Sequence, residues 1–256
     1  MRYLVVSDIH SNWEALSKVI EIAEKEGYEE ILCLGDIVGY GADPNLCTEF
    51  IRERAKFTVL GNHEYSLIKE EERKYLNEYA IRAIEWTEKV IKEENRKFLE
   101  KLVFKQKVSD TIEIVHTAPS DPESFAYVFS LEEAIFEFQS IESKITFFGH
   151  SHIPTIFKRK KESDSFKFGM QDIFYEKKDE YFLYVVKVEE FSDYLINPGS
   201  VGQPRDGDPR AAFLIFDADK NEVGFYRTHY DIETARKKIL KEGLPPFLGD
   251  RLLYGR

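Results

Sequence analysis

Five apolar runs in this chain each end on residues that can bind a metal. Val5-Val6-Ser7 leads into Asp8-Ile9-His10, Leu32-Cys33-Leu34-Gly35 into Asp36, and Val59-Leu60-Gly61 into Asn62-His63. Ile114-Val115 leads into His116, and Phe147-Phe148-Gly149 into His150-Ser151-His152. Five of the six histidines stand at these places, and only His229, read as structural, lies elsewhere. One such histidine would ordinarily be structural; five, with two aspartates and an asparagine beside them, point to metal chemistry. Carboxylates, imidazoles and an amide oxygen without thiolate suit Mn²⁺ first, with Fe, Ni²⁺, Co²⁺ and Zn²⁺ as the other choices. So many donors exceed one site. Two ions sharing a bridging carboxylate, about 3.5–4 Å apart, can clamp a tetrahedral phosphate and activate water.

For these residues to meet, each run must be a strand opening on a common edge, where open α/β sheets gather ligands. The first half reads that way. Residues 3–7, 31–34 and 57–60 are expected as strands. They alternate with a helix over 13–26, capped by Asn12 and stopped by Gly27, and a second helix from Asp43-Pro44 to about residue 53. Gly35, Gly61 and Gly149 precede donors and permit close backbone approach. The charged segment 65–103 predicts two helices with a break near 94–95. Strands follow at 111–116 and 144–148, around a helix over 131–139 that opens with the capping box Ser130-Leu-Glu-Glu133. From 154 to 229 the pattern is β, with strands at 155–158, 166–170, 181–188, 194–196, 212–217 and 223–228, and 158–164 a solvated hairpin tip. Asp231 opens a last helix to about 242. No linker or repeat divides residues 1–256, so one domain is expected, with a helical insertion at 65–103 and a β-hairpin extension at 158–190.

Composition narrows the partners. The chain carries 36 Lys and Arg against 47 Asp and Glu, a net charge of −11 over 256 residues. That disfavours a long nucleic acid lying across the surface. The first apolar run stops at Val6, too short for a secretory leader, and no run is long enough to span a bilayer. Cys33 and Cys47 form no paired motif and read as buried thiols in a reducing, cytoplasmic setting.

The ordered set Asp-x-His, Gly-Asp, Gly-Asn-His-Glu, a lone His and Gly-His-x-His, spanning residues 8 to 152, resembles the calcineurin-like metallophosphoesterase superfamily. The stretch Asn197-Pro-Gly-Ser-Val-Gly-Gln-Pro-Arg205 and the closing Leu-Leu-Tyr-Gly-Arg256 resemble its small bacterial and archaeal phosphodiesterase branch. The resemblance implies a four-layer α/β/β/α sandwich of two packed mixed sheets flanked by helices. It implies one metal held by Asp8, His10 and His152, a second held by Asn62, His116 and His150, and Asp36 between them. His63 would not bind metal but would touch the phosphate and protonate the leaving oxygen. Hydrolysis of a small phosphoester by hydroxide attack on phosphorus follows. Asn12 and Arg205 are candidate phosphate contacts, Asn12 equally a helix cap. Ser11 and Thr117-Ala118 depart from the family's usual glycines, which alters pocket shape more than metal binding.

Two other readings stay open. A nuclease or protein phosphatase on the same fold would want a basic, aromatic path for its polymer, which the net charge opposes. A non-catalytic interaction scaffold would have lost donors, and none is missing. A homo-oligomer remains open, with the 158–190 extension as a flap over the site or a dimer contact. No membrane and no stable nucleic acid partner are expected.

Overall fold

The computed structural model describes residues 1–256. The chain begins β1 (Arg2–Val6), α1 (Trp13–Glu26), β2 (Glu30–Cys33), α2 (Pro44–Arg54), β3 (Ala55–Thr58). The insertion follows as α3 (Asn62–Ile68), a 3₁₀ turn (Glu70–Tyr75), α4 (Glu78–Val90) and α5 (Glu93–Leu99). Then come β4 (Lys105–Lys107), β5 (Ile112–Val115), α6 (Leu131–Glu137) and β6 (Ile145–Phe147). The β-rich part holds β7 (Thr155–Lys161), β8 (Phe166–Met170), β9 (Glu176–Lys177), β10 (Tyr181–Lys187), β11 (Ser192–Asn197), β12 (Ala211–Asp217) and β13 (Glu222–Thr228), and the chain closes with α7 (Ile232–Lys241) and α8 (Pro246–Asp250).

The strands make two mixed sheets, ordered β3-β2-β1-β12-β13-β10-β9 and β4-β5-β6-β11-β7-β8. Strand alternation assigns the layers. Leu4 and Val6 of β1, with Ile31 and Cys33 of β2, face outward onto Leu16, Val19 and Ala23 of α1 and Cys47 and Ile51 of α2. Tyr3, Val5 and Leu32 face the other way, onto Ile112, Ile114, Ile145, Phe147 and Ile196 of the second sheet. The outer face of that second sheet is closed by Ala134 and Phe138 from the α6 region. The four layers are thus helix, sheet, sheet, helix. In the first sheet β1, β2 and β3 run parallel, and in the second β5, β6 and β11 do. Each set therefore delivers its carboxyl ends to one edge. Both cysteines are buried and unpaired, and no helix is long and apolar enough to cross a membrane.

Several boundaries move for visible reasons. β3 ends at Thr58 rather than residue 60: Val59 still donates to Cys33 O of β2 but bridges to Val103 beyond α5, and Leu60 N–H donates to Val103 O. The break in the insertion falls at Ile91–Lys92, not 94–95. Asn95 lies inside α5, fully buried, donating to Asn45 Oδ1 at 2.9 Å and accepting from Arg52 at 2.9 Å. Asp43 stands at the N-cap of α2, yet its carboxylate receives Lys238 at 2.8 Å instead of a helix N–H. The Asn12 cap and the Ser130–Glu133 capping box are present as expected. β7 runs on to Lys161, so its hairpin turns tightly between Glu162 and Ser165.

Candidate metal centre

Five of the seven proposed donors leave the end of a strand on a backbone that most side chains avoid. Asp8, His10, Asp36, His150 and His152 all have positive φ, between 49° and 66°. Non-glycine residues adopt this left-handed region at a cost and mostly where surrounding structure imposes it. Here the chain must turn sharply out of the sheet while aiming its side chain back at a common point. Gly61 serves the same convergence differently: a Cβ there would stand 2.2 Å from Asp36 Oδ1.

The donors are brought together and buried. Asp8, His10, Asp36 and His152 form one group, and Asp36, His116 and His150 a second, with donor atoms in each within 4.8 Å of one another. Asp36 belongs to both. Its Oδ2 lies 3.6 Å from His10 Nε2 and 3.3 Å from His116 Nε2. Asn62 Oδ1 joins the second group, 3.3 Å from His116 Nε2.

The hydrogen bonds show what this cluster is built to receive. His10 Nδ1 meets Val38 O at 3.1 Å, His116 Nδ1 meets Leu34 O at 2.6 Å, and His152 Nδ1 meets Gln203 O at 2.6 Å. Carbonyls only accept, so each Nδ1 carries the hydrogen and each Nε2 is left as the atom that takes a metal or a second proton. In the first group the Nε2 atoms of the neutral rings face other acceptors. His152 Nε2 lies 3.2 Å from Asp8 Oδ1 and 3.2 Å from His10 Nε2, and Asp8 Oδ1 is buried without a donor. Acceptors packed against acceptors away from water are satisfied by cations. The donor set thus fits two divalent ions.

Proton affinities follow the same crowding. Burial alone would raise the Asp36 carboxyl, but His116 and His63 beside it hold it well below the usual carboxylate range. Burial also opposes charge on His116, yet Asp36 overcomes it and raises that imidazole to about 9. His150 is pushed down to about 3 by burial and by His116. His63 falls to about 4, through burial and Arg205 working against Asp36.

The surrounding residues divide into supports and wall. His63 donates its backbone N–H to Asp36 Oδ1 at 3.0 Å, and its Nδ1 is buried without a partner. Its ring packs on Tyr40 and His10 at 4.5 and 4.7 Å between centroids. That approach needs Gly39 (φ +86°), where a Cβ would meet His63 Nδ1 at 2.1 Å. Arg205 hydrogen-bonds Gln203 Oε1 at 2.8 Å and Tyr40 Oη at 3.4 Å, and pairs with no carboxylate. Asn12 accepts from Ala15 N–H and donates to Gly202 O at 2.8 Å and Tyr230 Oη at 3.3 Å, so a phosphate would have to displace Tyr230. His229 is exposed beside Phe182 and belongs to neither donor group.

Sequence reasoning passed over two supports. Glu64, next to His63, accepts three backbone N–H groups: Asp36 at 2.8 Å, Gly61 at 3.0 Å and Val38 at 3.0 Å. It therefore ties the second and third donor turns together, with burial and the Asp36 charge pushing its carboxyl up to about 7 against those donors. The loop after β11 is the other. Ser200 Oγ and Gly202 N–H both donate to Asp8 O, Val201 N–H donates to Ser7 O, and Asn197 donates to Gly149 O and Ser151 Oγ. The available signal was Asn197 and Ser200, polar residues at and just beyond the end of a buried strand.

Two packed sheets, strand-end donors and a shared aspartate define a metallophosphoesterase. The model of the calcineurin-like phosphoesterase superfamily domain matches residues 1–221, and the chain belongs to that superfamily and is a phosphoester hydrolase. It is 41% identical to an uncharacterized protein of Methanocaldococcus jannaschii, over 98% of this chain and 97% of the relative. The crystal structure of a metallophosphoesterase from Sphaerobacter thermophilus is similar at 34% identity with a TM-score of 0.83, covering 100% of both chains. A hypothetical protein from Pyrococcus horikoshii OT3 shares the fold at 18% identity and a TM-score of 0.76, over 100% of this chain and 98% of its own.

Proposed function

We propose that this chain is a dinuclear phosphodiesterase acting on small phosphoesters. One observation carries the reading: Asp36 Oδ2 stands between two groups of buried donor atoms, 3.6 Å from His10 Nε2 and 3.3 Å from His116 Nε2. Asp8, His10 and His152 would hold one ion, Asn62, His116 and His150 the other, and Asp36 both. Bound there, divalent ions (Mn²⁺ first, with Fe, Ni²⁺, Co²⁺ or Zn²⁺ compatible with the same donors) would supply Lewis acidity toward phosphoryl oxygens and acidify water for attack on phosphorus.

The chain's own residues do the rest. Arg205, facing the donors with no carboxylate of its own, binds a phosphate oxygen. His63 is neutral at rest because burial depresses it. An approaching phosphate anion raises its proton affinity, so it can take up a proton and deliver it to the leaving oxygen. Asn12 serves the site by tying α1 to the loop beneath Asp8. The net charge of −11 favours a small diester over a polymer. We read residues 1–256 as one domain, since the site draws on both sheets, and the unpaired cysteines support a reducing compartment.

The test is a screen on protein stripped of metal and reloaded with each ion in turn. Bis(4-nitrophenyl) phosphate and 4-nitrophenyl phosphate are offered side by side, with His63→Ala as control. Faster cleavage of the diester, lost in His63→Ala, is expected. No hydrolysis of either ester with any ion would overturn the reading in favour of an interaction module.

A further inference from the structure

A cavity of about 510 Å³ opens beside the donors, with Asn62, His150 and Arg205 on its inner side. Its outer walls owe nothing to the sheets. One is the 3₁₀ turn Glu70–Tyr75 with Leu76 and Asn77, and the other is the loop through Glu123, Phe125 and Tyr127. The volume lies in the range of small-molecule sites, roughly 300–1,000 Å³. A methyl or other short alkyl ester would leave most of it to water.

The wall chemistry is specific. Tyr127 is already stacked on His150 at 4.0 Å and on Phe129 at 4.9 Å, so it is a fixed wall. Tyr75 is different: it is 74% exposed, with the Lys74 ammonium over one face and the other face uncovered. Phe125 is held at φ +51°, a strained position for a bulky residue. Glu72 and Glu123 bring carboxylate acceptors. Asn77 spends its Oδ1 on the N–H groups of Tyr79 and Ala80, which leaves its amide hydrogens to donate. Two carboxylates against Arg205 inside and Lys74 at the rim leave these walls with no surplus positive charge.

We propose that this cavity is a nucleoside subsite, taking phosphoesters that join a single phosphate to a nucleoside. The inference rests on the phosphodiesterase reading and names its substrate class. A nucleobase supplies the planar face for Tyr75, N–H donors for Glu72 and Glu123, and acceptors for Asn77. A second phosphate in the cavity would meet Glu72 and Glu123, with Arg205 on the inner side and Lys74 at the rim doing no more than offset them, so no surplus positive charge favours a nucleoside polyphosphate.

The experiment compares two diesters with one leaving group and one charge: the 5′-(4-nitrophenyl) ester of thymidine monophosphate and methyl 4-nitrophenyl phosphate, on Mn²⁺-loaded protein. Base stacking on an aromatic side chain predicts a kcat/KM at least about tenfold higher for the thymidine ester, and Tyr75→Ala brings the ratio down to about two or less. Calorimetry reads the same subsite without turnover. Thymidine 5′-monophosphate binds the wild type tighter than methyl phosphate does, thymidine 5′-diphosphate gains nothing over the monophosphate, and Glu72→Gln with Glu123→Gln improves the diphosphate. Equal kcat/KM for the two diesters, or a ratio unmoved in Tyr75→Ala, overturns the subsite and leaves the phosphodiesterase reading standing. Hydrolysis of neither overturns that reading itself.

Discussion

The strand-end cluster and the β-rich segment 158–190 are built by opposite rules. In the cluster, five of seven proposed donors sit at positive φ, and buried donor atoms crowd one another at 3.2–3.6 Å. In the segment, β7 and β8 pair in unbroken antiparallel register and no residue from 155 to 190 is left-handed. Its charges meet opposite charges at the surface, as Lys160 meets Glu189 at 3.2 Å. It places β8 at the outer edge of one sheet and β9 at the outer edge of the other, and none of its residues lines the cavities at the donors. It forms a pair of sheet edges and not the flap over the site that was one of its two expected roles. The contrast teaches where stability has been set aside: a region that breaks local rules and is braced by its neighbours is one shaped for a ligand.

The sharpest way to break that contrast is at Asp36. Asp36→Asn removes the charge both donor groups share, so hydrolysis should fall by about 10³-fold or more, with elemental analysis finding neither ion tightly held. Two ions retained in that variant would mean that Asp36 does not bridge. His63→Ala comes next. It should keep both ions and lose about 10²–10⁴-fold in kcat. Full activity would remove His63 from the reaction.

Much of the cluster was legible because it follows from strand ends. Parallel strands deliver carboxyl ends to one edge, so apolar runs closing on Asp, Asn and His could be placed together without coordinates. The braces were not legible in the same way. His152 is oriented by Gln203 O and Asp8 is held through its own carbonyl by Ser200 and Gly202. Backbone atoms carry no residue-type signature, and the loop that supplies them lies 51 residues downstream of His152 and 192 downstream of Asp8. Asn95 failed as a boundary marker for a related reason. Its polar side chain, which suggests a break in an isolated helix, is satisfied by Asn45 and Arg52 across an interface.

A third test concerns the brace. Glu64→Ala strands three buried N–H groups, which costs about 3 kcal/mol or more, and lets the Asp36 turn drift, which costs about 10–100-fold in metal affinity. Glu64→Gln keeps an acceptor and should recover part of both, read by denaturant melts and metal titration. Protons sharpen the same point. In metal-free protein Asp36 raises His116 to about 9. A raised imidazole stabilises the fold fully below its unfolded value near 6.5 and loses that contribution as pH climbs through 9. Metal binding must expel that proton, so at neutral pH loading should release about one proton per chain and tighten as pH rises toward 9. Calorimetry in buffers of different ionisation enthalpy counts it; no release would place the proton elsewhere.

The smallest effect is expected in the segment, and it is the control that gives the others meaning. Glu189→Gln removes the partner of Lys158 and Lys160 at once. Both pairs are solvent-facing, where Coulomb attraction is screened and two long side chains must be held still to gain it. The strands beneath keep their ladder, since β7 is bonded on one side to β11 and on the other to β8. Tm should therefore move by no more than about 2 °C, and kcat/KM for bis(4-nitrophenyl) phosphate should not change. A large loss of activity in this variant would mean that the segment feels the donor cluster through the sheets, and the division between a braced, strained region and a self-sufficient one would fail at its quieter end.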